Sequence, residues 1–128
     1  SCEDKGYFGR AVNVQEISAV TAACMLMKAE DFQAVGGFDE EFVVAFNDID
    51  LCMKARAAGK KVVFTPYAEL YHYESKSRGM EDTPEKQFRF EKETKRFEEK
   101  WGDEMAKGDP YYNPNLSLKE ADCSLRED

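Results

Sequence analysis

Two aspartates and one histidine are the side chains of this chain best suited to chemistry. Asp48 and Asp50 are separated by one residue, and His72 is the only histidine among 128 residues. A carboxylate in the first turn of a helix is kept ionised by the helix dipole, as a general base at neutral pH requires. An imidazole can transfer a proton or bind a metal ion. Each residue type also has ordinary structural roles.

The Asp48-Ile49-Asp50 motif has three interpretations. Both carboxylates can cap a helix and compensate its dipole. They can form a metal-binding Asp-x-Asp pair, although residues two apart on a helix point about 200° apart. Asp48 alone can be a catalytic base at the helix N-terminus. The residue types leave all three interpretations open.

His72 ends an aromatic stretch, and a hydroxyl and a guanidinium follow it at Ser77 and Arg78. A lone histidine in a strand is usually structural. Here the neighbouring groups make this the one place in an acidic chain where an anion and a metal ion would both be accommodated.

The sequence Gly36-Gly37-Phe38-Asp39 indicates a turn after a short helix. Glycines are also used where the backbone must approach a ligand closely. In that case Asp39 or Glu40 would be available to bind sugar hydroxyls.

Hydrophobic periodicity and capping signals predict the helices and strands that carry these residues. Residues 20–28 are apolar on both faces, which predicts a buried central strand. Residues 47–58 predict an amphipathic helix with Asn47 as N-cap, and Gly59 predicts its end. Residues 29–35 predict a short helix. Residues 61–65 and 68–73 predict short strands.

Pro84 begins a long charged helix that we expect to end near Trp101, because Gly102 follows. The residues of its inner stripe are Phe90, Thr94, Phe97 and Trp101. Residues 108–128 are predicted to be an extended tail, held by Tyr111, Tyr112, Leu116 and Leu118.

Composition narrows the class of protein. The chain is 42% hydrophobic and 34% charged, with a net charge of −8, which opposes binding to nucleic acid or an anionic membrane surface. The sequence has neither an apolar run long enough to span a membrane nor a signal peptide.

The spacing of the four cysteines is not a zinc pattern, and Cys24 and Cys52 are interpreted as core residues. This cysteine usage predicts a reducing, cytoplasmic setting for the protein. A peripheral position at the inner face of the membrane is the alternative.

The order of these motifs resembles glycosyltransferase family 2, and in particular the C-terminal half of rhamnosyltransferase-like catalytic domains. The resemblance covers about residues 6–125. The segments that carry it are residues 21–27, 35–40, 46–52, 58–59, 65–66, 72, 77–79 and 109–116.

The resemblance implies an α/β chain, the C-terminal portion of a GT-A fold with a mixed sheet flanked by helices. Residues 1–128 would be the acceptor-side half of the domain. The N-terminal half, which binds the nucleotide and supplies the metal-binding Asp-x-Asp, is missing from these residues. We therefore expect this chain to be inactive alone.

The resemblance also assigns roles to individual residues. Asp48 matches the catalytic base, although Asn47 stands where the family usually has an acidic residue. His72 matches a histidine that joins the metal in several relatives, and Arg78 would neutralise diphosphate. The turn that borders the acceptor site is matched by Gly36, Gly37, Phe38 and Asp39, and Asn47 is grouped with these substrate-binding residues.

The activity implied is an inverting transfer of a sugar from a nucleotide-diphosphate donor to a hydroxyl of a glycan or lipid-linked acceptor. Mg²⁺ or Mn²⁺ would be the cofactor of the full-length enzyme. A non-catalytic carbohydrate-binding or interaction module on a degenerate transferase fold is the alternative. A small metal-dependent hydrolase using Asp48, Asp50 and His72 is a third hypothesis, which the helical spacing of the two aspartates opposes.

Overall fold

Helices dominate the regular structure. The computed structural model describes residues 5–71, 83–119 and 123–126. Its helices are α1 (Ala29–Ala34), α2 (Asn47–Ala57) and α3 (Pro84–Met105). Short 3₁₀ helices lie at Tyr7–Val12 and Ala22–Cys24.

One small antiparallel sheet is present in the described part of the chain. It consists of β1 (Gln15–Glu16) and β2 (Val63–Phe64), with Gln15 opposite Phe64. The combination of helices and a small sheet is consistent with the predicted α/β class. β2 confirms a short strand within residues 61–65.

Helix α2 confirms the predicted helix, but its start differs from the expectation. Phe46, not Asn47, occupies the N-cap position, in the left-handed conformation with φ 64°. Asn47 is instead the first helical residue, and its side-chain oxygen accepts the Asp48 N–H at 2.7 Å. The ring of Phe46 stacks on Phe97 at 5.0 Å, so tertiary packing fixes the chain direction at this helix start.

The start of the long helix α3 is explained by its capping residues, whereas its end lies beyond the predicted position. The Thr83 side chain accepts the Lys86 N–H, and Pro84 takes the first helical position, where its missing N–H is tolerated. The predicted end at Gly102 is wrong, because the helix continues to Met105. A glycine within an exposed helix costs only about 1 kcal/mol, which neighbouring contacts can outweigh.

The core lies where α2, α3 and the segment before α2 meet. Phe42, Leu51 and Phe97 are almost fully buried there. The Phe42 and Phe97 rings make an edge contact at 6.1 Å. Of the predicted α3 stripe, Phe97 is buried, whereas Phe90 is 47% exposed.

The predicted central strand at residues 20–28 is wrong. This segment contains the 3₁₀ helix Ala22–Cys24 and no strand, and Leu26 is 99% exposed. A strand that is apolar on both faces needs neighbours on both edges and cover on both faces. The described residues supply neither.

Three smaller expectations also fail. Residues 68–71 form no strand and are exposed, while residues 72 and 73 lie outside the described part. Cys24 is exposed, whereas Cys52 is buried as predicted. In the tail Leu116 is buried and bridges to Leu125, but Leu118 is 79% exposed.

No helix of the described residues combines the length and the apolar composition that crossing a membrane requires.

Candidate functional site

Asp48 lies in the first turn of α2 and joins that helix to the segment before α1. One carboxylate oxygen accepts the Ala22 N–H at 3.1 Å. The other accepts the Ile49 N–H at 2.9 Å. The side chain is half-buried, so solvent still reaches it. The local structure therefore presents a fixed carboxylate whose position depends on two separate parts of the chain.

An open groove of about 320 Å³ adjoins this carboxylate. Ala22, which donates to Asp48, is one of its lining residues. The rest of the lining is mostly apolar: Met25, Met27, Ala29, Phe32, Gln33, Phe38 and Leu51. Phe38 lines the groove directly, whereas Asp48 is linked to it through the hydrogen bond from the Ala22 N–H.

The two glycines of the turn are explained by backbone geometry. Gly36 and Gly37 have φ values of 80° and 65°, which side-chain-bearing residues rarely adopt. A Cβ on Gly37 would lie 3.1 Å from the Phe32 ring. The Gly37 N–H donates to the Phe32 carbonyl at 2.8 Å, which ties the turn to α1. These contacts account for both glycines without a ligand.

The side chains of Phe38 and Asp39, which follow the glycines, contact different parts of the molecule. Phe38 lines the groove and makes an edge contact with Phe32 at 5.4 Å. Asp39 instead pairs with Lys100 at 2.9 Å and with Arg96 at 3.1 Å, both from α3. Its oxygens are therefore engaged by α3.

The buried network of charges around Asp50 is the main feature that the sequence analysis did not identify. The Asp50 side chain is fully buried, where an unpaired carboxylate would be strongly destabilising. One oxygen accepts the Trp101 indole N–H at 2.8 Å and pairs with Lys100 at 2.7 Å. The other oxygen lies 3.2 Å from the Lys54 ammonium. Asp50 is thus committed to the interior and does not share an ion with Asp48.

Lys100 bridges Asp50 and Asp39. Burial lowers the pKa of Lys100, but hydrogen bonds to both carboxylates outweigh burial and raise it overall. The Lys100 hydrogen bond, helped by the Glu41 N–H and Arg96, lowers the pKa of Asp39 from 3.8 to about 2. Lys100 and Asp39 are therefore both charged at neutral pH.

Two signals in the sequence could have indicated the network. Lys54 follows Asp50 by four residues, the spacing of a helical ion pair. Trp101 is the only tryptophan, and a buried indole N–H needs an acceptor. Neither signal identifies Lys100, which is distant in sequence and comes from another helix.

The predicted metal ligand His72 and the predicted diphosphate-binding Arg78 lie outside the described residues. Within residues 5–71, 83–119 and 123–126, no three histidine, cysteine, aspartate or glutamate side chains converge on a common point.

Comparison with known proteins gives three informative relatives. The chain is 55% identical over 124 residues to the uncharacterized protein y4gI of Sinorhizobium fredii, a match covering 96% of the chain and 14% of that protein. It is 39% identical over 126 residues to the O-antigen biosynthesis protein RfbC of Myxococcus xanthus, covering 93% of the chain and 9% of RfbC.

A shorter match of 60 residues, 35% identical, is to the N-acetylglucosaminyl-diphospho-decaprenol L-rhamnosyltransferase of Mycobacterium tuberculosis; it covers 47% of the chain and 20% of that enzyme. Each match thus spans a fifth or less of the length of the relative. No protein-family model matches it. No solved structure matches it either.

Proposed function

We propose that the chain is part of a glycosyltransferase of family 2 that acts in the synthesis of an O-antigen or another rhamnose-containing polysaccharide. The observation that carries this proposal is Asp48, a fixed carboxylate at a helix N-terminus beside an open groove. The names of the relatives RfbC and L-rhamnosyltransferase support the same class of reaction.

In the proposed reaction Asp48 accepts the proton of an acceptor hydroxyl. The hydroxyl oxygen then forms a bond to the anomeric carbon of the donor sugar, while the bond from that carbon to the nucleoside diphosphate breaks. A single displacement inverts the configuration at this carbon. A positioned general base contributes about 10²–10⁴-fold to such a step.

The other parts of the proposal concern the full-length protein. The chain would be the acceptor-side half of a GT-A domain, with its tail at residues 108–128, and another half would bind the nucleotide-sugar. Phe38 and the groove would border the acceptor, which is a glycan or a lipid-linked sugar. Bound Mg²⁺ or Mn²⁺ would neutralise charge on the leaving diphosphate, with His72 as a ligand and Arg78 beside the phosphates. The reaction would take place in the cytoplasm.

A non-catalytic interaction module is the second candidate, and one observation favours it. Both oxygens of Asp48 already accept backbone N–H groups, as a purely structural helix-start residue would require. In that case the carboxylate would only fix the segment before α1 to α2.

Sugar transfer by the full-length protein distinguishes these candidates. The assay uses dTDP-L-rhamnose as donor and an N-acetylglucosaminyl-diphospho-polyprenol as acceptor. Asp48→Asn should lower kcat about 100-fold with little change in donor KM, because Asn keeps the size of the side chain but cannot take the proton.

Asp103→Asn, an exposed aspartate on α3, is the matched control and should behave like wild type. Near-normal turnover in Asp48→Asn would leave only the structural role of this carboxylate. Absence of transfer by the wild-type protein, with this pair and with other dTDP- and UDP-sugars, would contradict the proposed function as a whole.

A further inference from the structure

The buried carboxylate of Asp50 is neutralised by two lysines from different helices. Lys54 comes from α2 itself, and Lys100 comes from α3. The Trp101 indole N–H adds a third, uncharged donor. A desolvated carboxylate with these partners holds its surroundings in one arrangement, because losing a partner leaves the buried charge less well compensated.

Both lysines also bind the turn after α1. The Lys54 ammonium donates to the carbonyl of Gly37. The Lys100 ammonium pairs with Asp39 at 2.9 Å, and Arg96 adds a second contact from α3 to the same carboxylate. The turn is therefore attached to Asp50 at two points, one through its backbone and one through a side chain.

The two lysines connect the turn to the helix that carries Asp48. Phe38, between the two attachment points, lines the groove. Asp50 lies two residues after Asp48 on the same helix, so whatever fixes Asp50 also fixes the first turn that carries Asp48. The distance between the aromatic side of the groove and the carboxylate then depends on the two lysine bridges.

We propose that Asp50 is a positioning residue for the transfer reaction. Through Lys54 and Lys100 it holds the turn bearing Phe38 at a fixed distance from the first turn of α2 bearing Asp48. It touches no reacting atom, since its side chain is fully buried. This inference rests on the proposed function, because the groove must be where the acceptor binds.

The sharpest test removes the bridge and leaves Asp50 in place. Lys100→Met keeps an apolar stem of similar length but no longer joins Asp39 to Asp50. Lys95→Met is the matched control, because Lys95 is an exposed lysine of the same helix whose contact with Glu99 stays within α3. Asp50→Asn is a second variant that keeps an acceptor for Trp101 and removes the charge that attracts both lysines.

The sugar-transfer assay on the full-length protein, with dTDP-L-rhamnose and an N-acetylglucosaminyl-diphospho-polyprenol, gives the functional readout. A displaced binding surface should raise the acceptor KM about 10-fold or more in Lys100→Met and Asp50→Asn. Donor KM should stay unchanged, and kcat should fall by less than about 3-fold. A merely structural role would instead reduce the active fraction, which lowers kcat and leaves both KM values unchanged.

Hydrogen–deuterium exchange of the same proteins gives a readout that needs no activity. Amides of residues 36–42 should exchange faster in Lys100→Met than in Lys95→Met, because the turn keeps its contact with Arg96 but has lost the one through Lys100. An unchanged acceptor KM in Lys100→Met, or equal exchange in the two variants, would overturn the inference. If the wild-type protein transfers no sugar, the proposed function itself fails, which the wild-type control reveals separately.

Discussion

Apolar side chains are buried in one region of the molecule and exposed in another. Around α2 and α3, the side chains of Phe42, Leu51 and Phe97 are buried to 7% exposure or less. In the segment before α1, Leu26 is 99% exposed, and Tyr71, well after α2, is 92% exposed. The first region closes its own core, because two helices and an aromatic loop cover one another. Leu26 and Tyr71 have no such cover within the described residues.

The largest effect is expected where the closed region is densest. Phe97→Ala should lower the free energy of unfolding of the chain by about 3–4 kcal/mol, the usual cost of removing a buried phenylalanine. The ring packs against Phe42 and Phe46, so two aromatic contacts are lost together. Urea unfolding followed by circular dichroism measures the change.

Phe88→Ala is the matched control for this prediction. Phe88 lies on the same helix but is 71% exposed, so its removal should change stability only slightly. Equal losses in the two variants would mean that α3 does not bury the face described here.

A second prediction concerns Glu93, a buried glutamate in the middle of α3. Its carboxylate accepts the Val44 N–H at 3.3 Å and the Ala45 N–H at 2.6 Å, which fixes the loop leading into α2. Glu93→Ala should cost about 2 kcal/mol, because two backbone donors lose their acceptor. Thermal unfolding compared with Glu91→Ala, an exposed glutamate of the same helix, tests this. A cost no greater than that of the control would contradict the role of Glu93.

The contrast between the regions also explains what the sequence could predict. Helices α1 and α2 and most of α3 follow from capping residues, glycines and the 3.6-residue period, all of which act locally. Residues 20–28 have the composition of a strand, but a strand depends on partners elsewhere, and local composition does not report whether these are present. The helices were therefore predictable, whereas of the expected strands only the one within residues 61–65 is confirmed.

In the candidate site, likewise, some residues were indicated by the sequence and others were not. The proposed roles of Asp48 and Phe38 came from local motifs and from the family resemblance. Phe38 lines the groove, and Asp48 accepts the N–H of the lining residue Ala22. Lys100, which pairs with both Asp39 and Asp50, comes from α3, some fifty to sixty residues later in the chain. Glu93 was likewise missed, because a glutamate on a charged helix is normally solvated.

A third prediction uses the low pKa of Asp39, which is about 2 instead of 3.8. A carboxyl group whose pKa falls on folding stabilises the folded state above its unfolded pKa. That contribution is lost as the pH falls from about 4 to about 2. It should amount to about 1 kcal/mol, allowing for solvent screening of this surface network. Asp39→Asn should therefore be less stable than wild type at pH 6, and the difference should shrink towards pH 2. A difference independent of pH would contradict the assignment.

The smallest effect in the chain itself is expected at Leu26, and it sharpens the comparison most. Because its side chain is 99% exposed, Leu26→Asn should leave the melting temperature of the 128-residue chain unchanged within experimental scatter. In the full-length protein we propose that another part of the domain covers residues 20–28. There the same substitution should destabilise the protein by about 1.5–3 kcal/mol, the value of burying one leucine. Lys28→Gln, at an exposed charged position of the same segment, is the control in both backgrounds.

A large loss of stability in the 128-residue chain alone would mean that Leu26 is covered within it. Equal, negligible effects in both backgrounds would mean that residues 20–28 stay exposed in the full-length protein, and the proposed two-part domain would then lose its interface.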